Sequence, residues 1–180
     1  MKDFTERRIE SSLVFDGKLL KVRSDTVRLP NGRTAEREYI EHPGAVAVIA
    51  LTEAGELVME RQFRYPLGRD MFELPAGKID PGEDPLTTAR RELKEETGYT
   101  ADRWRHVGTI NIAIAYSNER IEIYLATGLK SGRSELDDEE FLDVFTLPLA
   151  TAVDWVREGK ITDAKTVSGL FWAEKLLSAP

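Results

Sequence analysis

Between Arg8 and Leu29 apolar and polar positions roughly alternate, with Leu13 and Phe15 followed by Leu20 and Val22, the period of two that a β-strand imposes on its faces. Pro30-Asn31-Gly32 then predicts a turn with a return strand over Thr34 to Ile40, so residues 1–42 form an antiparallel β extension. Pro43-Gly44 punctuates it. Ala45 to Leu51 is continuously apolar, as in a strand buried on both faces, and turns at Glu53-Ala54-Gly55 into a further strand from Leu57 to Phe63. At Asp84-Pro85 the pattern changes: Asp as N-cap, Pro at the first helical position and Gly98 as a stop predict a helix over 85–97. Strands follow near Trp104 to Ile112 and Arg120 to Thr127, then an acidic stretch from Ser134 to Glu140, a strand over Leu142 to Leu147, and helices over Leu149 to Arg157 and Ala164 to Leu177. Asp163 is placed to cap the last helix, where spacing puts Val167, Leu170, Phe171 and Leu177 on one face. The reading is an α/β (α+β) domain over 43–180 preceded by the extension, with no internal repeat or long linker.

Composition narrows the chemistry. The 180 residues are 41% hydrophobic and 32% charged, a globular mix long enough to bury a core. A net charge of −7 excludes a general polycationic surface for nucleic acid or anionic membrane, so an anionic substrate needs local neutralisation. The absence of cysteine excludes a disulfide frame, a thiolate nucleophile, an iron–sulfur site and a Cys-type zinc site, and the expectation is a cytoplasmic protein. The run Ala45 to Leu51 is far short of a membrane helix, and the first residues lack the apolar region of a signal peptide. No G-x-S-x-G, H-E-x-x-H, G-x-G-x-x-G or Walker pattern is present; His42 and His106 stand far apart, and Trp104, Trp155, Phe171 and Trp172 read as packing residues.

The informative segment runs from Gly77 to Tyr99. On the predicted helix Glu92, Glu95 and Glu96 stand at i, i+3 and i+4, crowding three carboxylates on one face, while Leu86, Ala89 and Leu93 form an apolar stripe beside them. Such acidic clusters are usually solvated helix faces. Here they adjoin a Gly-rich loop, and hard oxygen ligands in that setting suit Mg²⁺ or Mn²⁺, which would neutralise their mutual repulsion.

The spacing matches G-x5-E-x7-R-E-U-x-E-E-x-G-U at Gly77, Glu83, Arg91, Glu92, Glu95, Glu96 and Gly98, with Leu93 at the first apolar position and Tyr99 departing mildly at the last. Seven such identities arise at a given start with a chance on the order of 10⁻⁸ to 10⁻⁷. The segment resembles the signature of the Nudix hydrolases. Phe72-Glu73-Leu74-Pro75-Ala76-Gly77, the Glu60 to Arg64 strand, the β extension and the acidic loop are similar to the ADP-ribose pyrophosphatase and nucleoside-diphosphate-sugar hydrolase branch. That resemblance implies an αβα sandwich around a mixed sheet, and a homodimer whose extension helps bind the substrate of the other subunit.

The resemblance also assigns roles. Glu92 and Glu96 match the main metal ligands, with Glu95 auxiliary and the Ala76 carbonyl a further ligand for two or three Mg²⁺ or Mn²⁺ ions, while Glu83 steadies the loop. The catalytic base is expected from the acidic loop, with Glu140 favoured, Glu139 second and Asp138 an alternative. Arg64 matches an arginine on the diphosphate, Arg37 one presented near the base across the dimer, and Glu73 a residue near the terminal ribose; Glu119 is a weaker pocket candidate. The implied reaction is cleavage of ADP-ribose to AMP and ribose 5-phosphate, with other nucleotide sugars such as GDP-mannose open. Ala115-Tyr116 departs from the proline usual in ADP-ribose pyrophosphatases and favours diadenosine polyphosphates as an alternative; a non-catalytic nucleotide-sensing domain is the alternative from another class.

Overall fold

A computed structural model describes residues 1–136 and 138–177, so Asp137 of the acidic stretch lies outside the described residues. The chain divides into two compact units, Met1–Pro43 with Asn111–Glu119, and Gly44–Ile110 with the residues from Arg120 onward.

In the first unit β1 (Arg7–Asp16), β2 (Lys21–Arg28) and β3 (Thr34–Glu41) form an antiparallel sheet in chain order. The β2–β3 turn falls where the sequence places it, because Gly32 takes φ +85°, which an L side chain resists, and its N–H closes on the Leu29 carbonyl at 2.9 Å. Asp25 and Val27 of the central strand are buried, whereas Ile9, Leu13, Val14 and Phe15 of β1 are exposed. The segment 111–119 is tied to β3 by the Ile40 N–H donating to the Tyr116 carbonyl at 2.8 Å.

The second unit carries β4 (Ala45–Ala50), β5 (Glu56–Arg64), β6 (Arg69–Glu73), β7 (Ala76–Lys78), α1 (Pro85–Thr97), β8 (Thr100–Asn111), β9 (Arg120–Lys130), β10 (Leu142–Pro148), α2 (Leu149–Arg157) and α3 (Ala164–Leu177). One sheet has the order β7-β4-β9-β8 and is mixed, since β4 runs antiparallel to β7 and parallel to β9; a second has the order β10-β5-β6. Strand β4 explains the layering. Val46, Val48 and Ala50 join Val58, Ala89 and Leu93 in one cluster, while Ala47, Ile49 and Leu51 join Leu57, Met59, Leu170 and Ala173 in the other. Alternate side chains therefore meet α1 on one face and α3 on the other, and the strand reads as an unbroken apolar run.

The short strands β6 and β7 are additions to the sequence reading, and α3 corrects it. Its buried side carries Lys165, Thr166, Gly169, Leu170 and Ala173, whereas Phe171 and Leu177 are half exposed. The reason is close approach: a Cβ at Gly169 would overlap a Leu74 methyl, so small residues face inward. Trp155 packs with Phe72 and Phe145, Trp104 meets Tyr124 edge-on, and Trp172 lies over Gly108. Among the described residues no helix is long and apolar enough to cross a membrane.

Candidate active site

Helix α1 is fixed at both ends by local chemistry. Asp84 accepts from the N–H groups of Leu86 and Thr87 at 3.1 and 3.2 Å, Pro85 follows it, and the Gly98 N–H returns to the Lys94 carbonyl at 2.8 Å in a left-handed C-cap. With Ala89 and Leu93 buried, the helix period turns Glu92, Glu95 and Glu96 toward β7. Strand β7 passes so close that a Cβ at Gly77 would overlap the Glu92 carboxylate. Glycine is required here for proximity.

Arg91 organises the loop. Its Nε and Nη2 donate to Glu83 at 3.2 and 3.0 Å, and its Nη1 lies 2.9 Å from Glu92 and 3.0 Å from Glu95. Glu83 also accepts from the Thr88 hydroxyl at 2.8 Å, so both its oxygens are committed to holding loop on helix.

Glu96 is buried, accepting from the Ala76 N–H at 3.0 Å and sharing a hydrogen bond with Glu60 of β5. Glu60 arrives there by strand period: it shares a face with Val58, which packs on α1, and it is only 3% exposed. Its Oε1 is buried with no hydrogen-bond partner among the described residues. Burial pushes the carboxyls of both Glu60 and Glu96 upward. Burial also lifts Glu92 to about 7 against the pull of Arg91, with Glu95 and Glu140 adding negative charge.

A pocket of about 350 Å³ is lined by Ala76, Gly77, Arg91, Glu92, Glu95 and Glu140, among others. Glu140 thus stands beside the helix carboxylates, while Asp138 and Glu139 lie on the exposed turn before it. Among the described residues no three acidic or histidine side chains are already in metal-ligand geometry, since Arg91 engages Glu92 and Glu95 and the Ala76 N–H engages Glu96. The donor set nevertheless fits a hard divalent cation: hard carboxylate oxygens, two of their carboxyls pushed up by burial beside Glu140, and an orphaned buried oxygen at Glu60.

Beyond the pocket, Arg64 at the end of β5 donates Nε and Nη2 to the two oxygens of Glu73 at 2.7 and 2.8 Å. Glu73 is 4% exposed; burial works upward on its carboxyl, but hydrogen bonds from Arg64 and Lys165 carry it below the ordinary value. Arg37 and Glu119 belong to the first unit, where Arg37 forks onto Glu6 at 2.6 and 2.9 Å and Glu119 lies 3.9 Å from His42. Sequence reasoning missed Glu60 and Lys165. The signal for Glu60 was a carboxylate at an inward position of a strand opened by Leu57, Val58 and Met59.

A family model described as NUDIX domain matches residues 41–168, and one described as nucleoside diphosphate sugar hydrolase N-terminal domain matches residues 6–40. The chain is 43% identical over 168 residues to the methanol dehydrogenase activator of Bacillus methanolicus, covering 92% of this chain and 91% of that protein. It is 40% identical over 168 residues to the ADP-ribose pyrophosphatase of Bacillus subtilis strain 168, with the same coverage of 92% and 91%. A crystal structure of an ADP compounds hydrolase superposes with a TM-score of 0.85 at 26% identity, covering 98% of this chain and 97% of that one.

Proposed function

The chain belongs to the Nudix family, and from that premise we propose that it hydrolyses the diphosphate of ADP-ribose, giving AMP and ribose 5-phosphate, and of related nucleoside diphosphate sugars such as GDP-mannose. Members of the family generally work with a divalent metal. The observation that carries the reading is the pocket in which the half-buried carboxylates of Glu92 and Glu95 meet Glu140.

Glu92, Glu96, auxiliary Glu95 and the Ala76 carbonyl would hold two or three Mg²⁺ or Mn²⁺ ions, with Glu60 supplying another oxygen. Bound there, such ions neutralise the diphosphate, make phosphorus electrophilic and acidify water. Glu140 is the group that removes the proton from the attacking water, with Glu139 second. Arg64 binds the diphosphate. Glu73 retains one lone pair, on Oε1, for a hydroxyl of the terminal ribose.

Arg37 is assigned to the base of the substrate held by a second subunit, and Glu119 is a weaker candidate for substrate binding. The exposed apolar residues of β1, Ile9, Leu13, Val14 and Phe15, support a homodimer built through the extension. A cysteine-free chain suits the cytoplasm.

A substrate panel tests the reading: kcat/KM measured with Mg²⁺ for ADP-ribose, GDP-mannose and diadenosine polyphosphates should rank ADP-ribose first. A preference for diadenosine polyphosphates would transfer the assignment to the reading that Tyr116 favours. Turnover of none would leave a sensor.

A further inference from the structure

Arg64 has to present a flexible guanidinium to a diphosphate, and its anchor is Glu73. The fork between them uses Nε and Nη2, so the edge formed by Nη1 and the second Nη2 hydrogen faces away from Glu73 and is the one left for two phosphate oxygens. Everything then depends on where Glu73 is held. In the β5–β6 register Glu73 lies directly opposite Glu60, and like charges in that relation repel. Both carboxylates are also buried.

Lys165, in the first turn of α3, meets that pair. It is itself buried, donates its ammonium to Glu73 Oε2, and donates to Asp163 at 3.0 Å. Asp163 in turn caps α3, accepting from the Thr166 N–H at 3.0 Å and the Thr166 hydroxyl at 2.6 Å. The Thr166 hydroxyl oxygen accepts from the Leu74 N–H at 2.9 Å, so the end of β6 is pinned to the start of α3 through both Glu73 and Leu74. A lysine stem lost to burial costs side-chain entropy and desolvation. A purely apolar helix start would have avoided both costs, whereas this one aims its ammonium at the carboxylate that orients Arg64.

We propose that Lys165 is a positioning residue for substrate binding: through Glu73 it fixes the orientation in which Arg64 receives the diphosphate. The inference rests on the reading of Arg64 as the diphosphate arginine of an ADP-ribose hydrolase. It assigns Lys165 no contact with substrate.

The test is a double-mutant cycle on ADP-ribose turnover with saturating Mg²⁺, using wild type, Lys165→Met, Arg64→Ala and the double variant, each also measured for Tm. Removing the ammonium but keeping the stem should raise KM about five- to tenfold with kcat within about twofold, the size of coupling between residues in one network. In the Arg64→Ala background the same change should add nothing to KM. If Lys165→Met does not fold, Lys165→Leu, which likewise removes the donor to Glu73, is judged by the same criteria. A KM equal to wild type, a fall in kcat alone, or equal KM increases in both backgrounds would overturn the proposal. Failure of wild type to hydrolyse ADP-ribose is a separate result, and refutes the substrate reading instead.

Discussion

Glu92, Glu95 and Glu96 have the same side chain on the same helix face, yet their surroundings give them different work. Glu96 is the most enclosed, against Ala76 and Glu60, so Glu96→Gln should remove nearly all activity and weaken Mg²⁺ affinity measured by titration calorimetry. Glu140→Gln should lower kcat by about 10²- to 10⁴-fold, the usual contribution of a general base, while Mg²⁺ and ADP-ribose binding stay near wild type. If Glu139→Gln or Asp138→Asn has that effect instead, the base belongs to that residue. Gly77→Ala should act like a site mutation, because its methyl would displace the Glu92 carboxylate; activity should fall while Tm changes by only a few degrees. The carboxylates of α1 are legible in the sequence because helix period is local. Glu60 is not, since its meeting with Glu96 depends on how β5 pairs and which face α1 covers, and a Glu in a strand reads first as solvent-facing.

At the level of elements, the sequence marks α1 clearly: Asp84-Pro85 and Gly98 are chemical instructions for its two ends, and both caps form. Asp84→Ala should cost about 1 kcal/mol, lowering Tm by about 2 to 4 °C in a chain of this size. Thermal unfolding checks this, with kcat of the folded protein unchanged. Strands β6 and β7 are harder to read because they are short and flank Pro75, and β7 pairs with β4 across the intervening β5 and β6 rather than with its chain neighbour. Helix α3 shows the same limit. Its apolar spacing points to Val167, Leu170, Phe171 and Leu177; Leu170 is buried and Val167 packs against the core, but Phe171 and Leu177 turn outward while Gly169 and Ala173 face in, Gly169 lying close to Leu74. Close contact selected a glycine where the helix passes Leu74.

For the whole molecule, the buried carboxyls make stability depend on pH and metal together. The folded-state value of Glu92 is raised from 4.5 to about 7, and those of Glu60 and Glu96 are raised too, so between those limits the metal-free folded protein holds protons that the unfolded chain has released. Their contribution is therefore full below about pH 4.5 and declines as pH rises, that of Glu92 being lost through about 7 and those of Glu60 and Glu96 at higher pH. Without divalent cations Tm should fall from pH 5 to pH 8 through these groups. At the proposed site Mg²⁺ would bind the ionised forms, so its stabilisation should be larger at pH 8 than at pH 5. At one hundred times its dissociation constant it should amount to about 2.7 kcal/mol, or about 5 to 11 °C; equal Mg²⁺ shifts at both pH values would contradict this.

Metal-dependent hydrolysis of a diphosphate is proposed at the face of α1. ³¹P nuclear magnetic resonance of ADP-ribose incubated with the protein and Mg²⁺ tests it most directly. The diphosphate resonances should be replaced by two phosphomonoesters, AMP and ribose 5-phosphate, in equal amounts, and chelation of the metal or Glu96→Gln should stop the change. Intact diphosphate after prolonged incubation, or turnover that persists in the chelator, would contradict it.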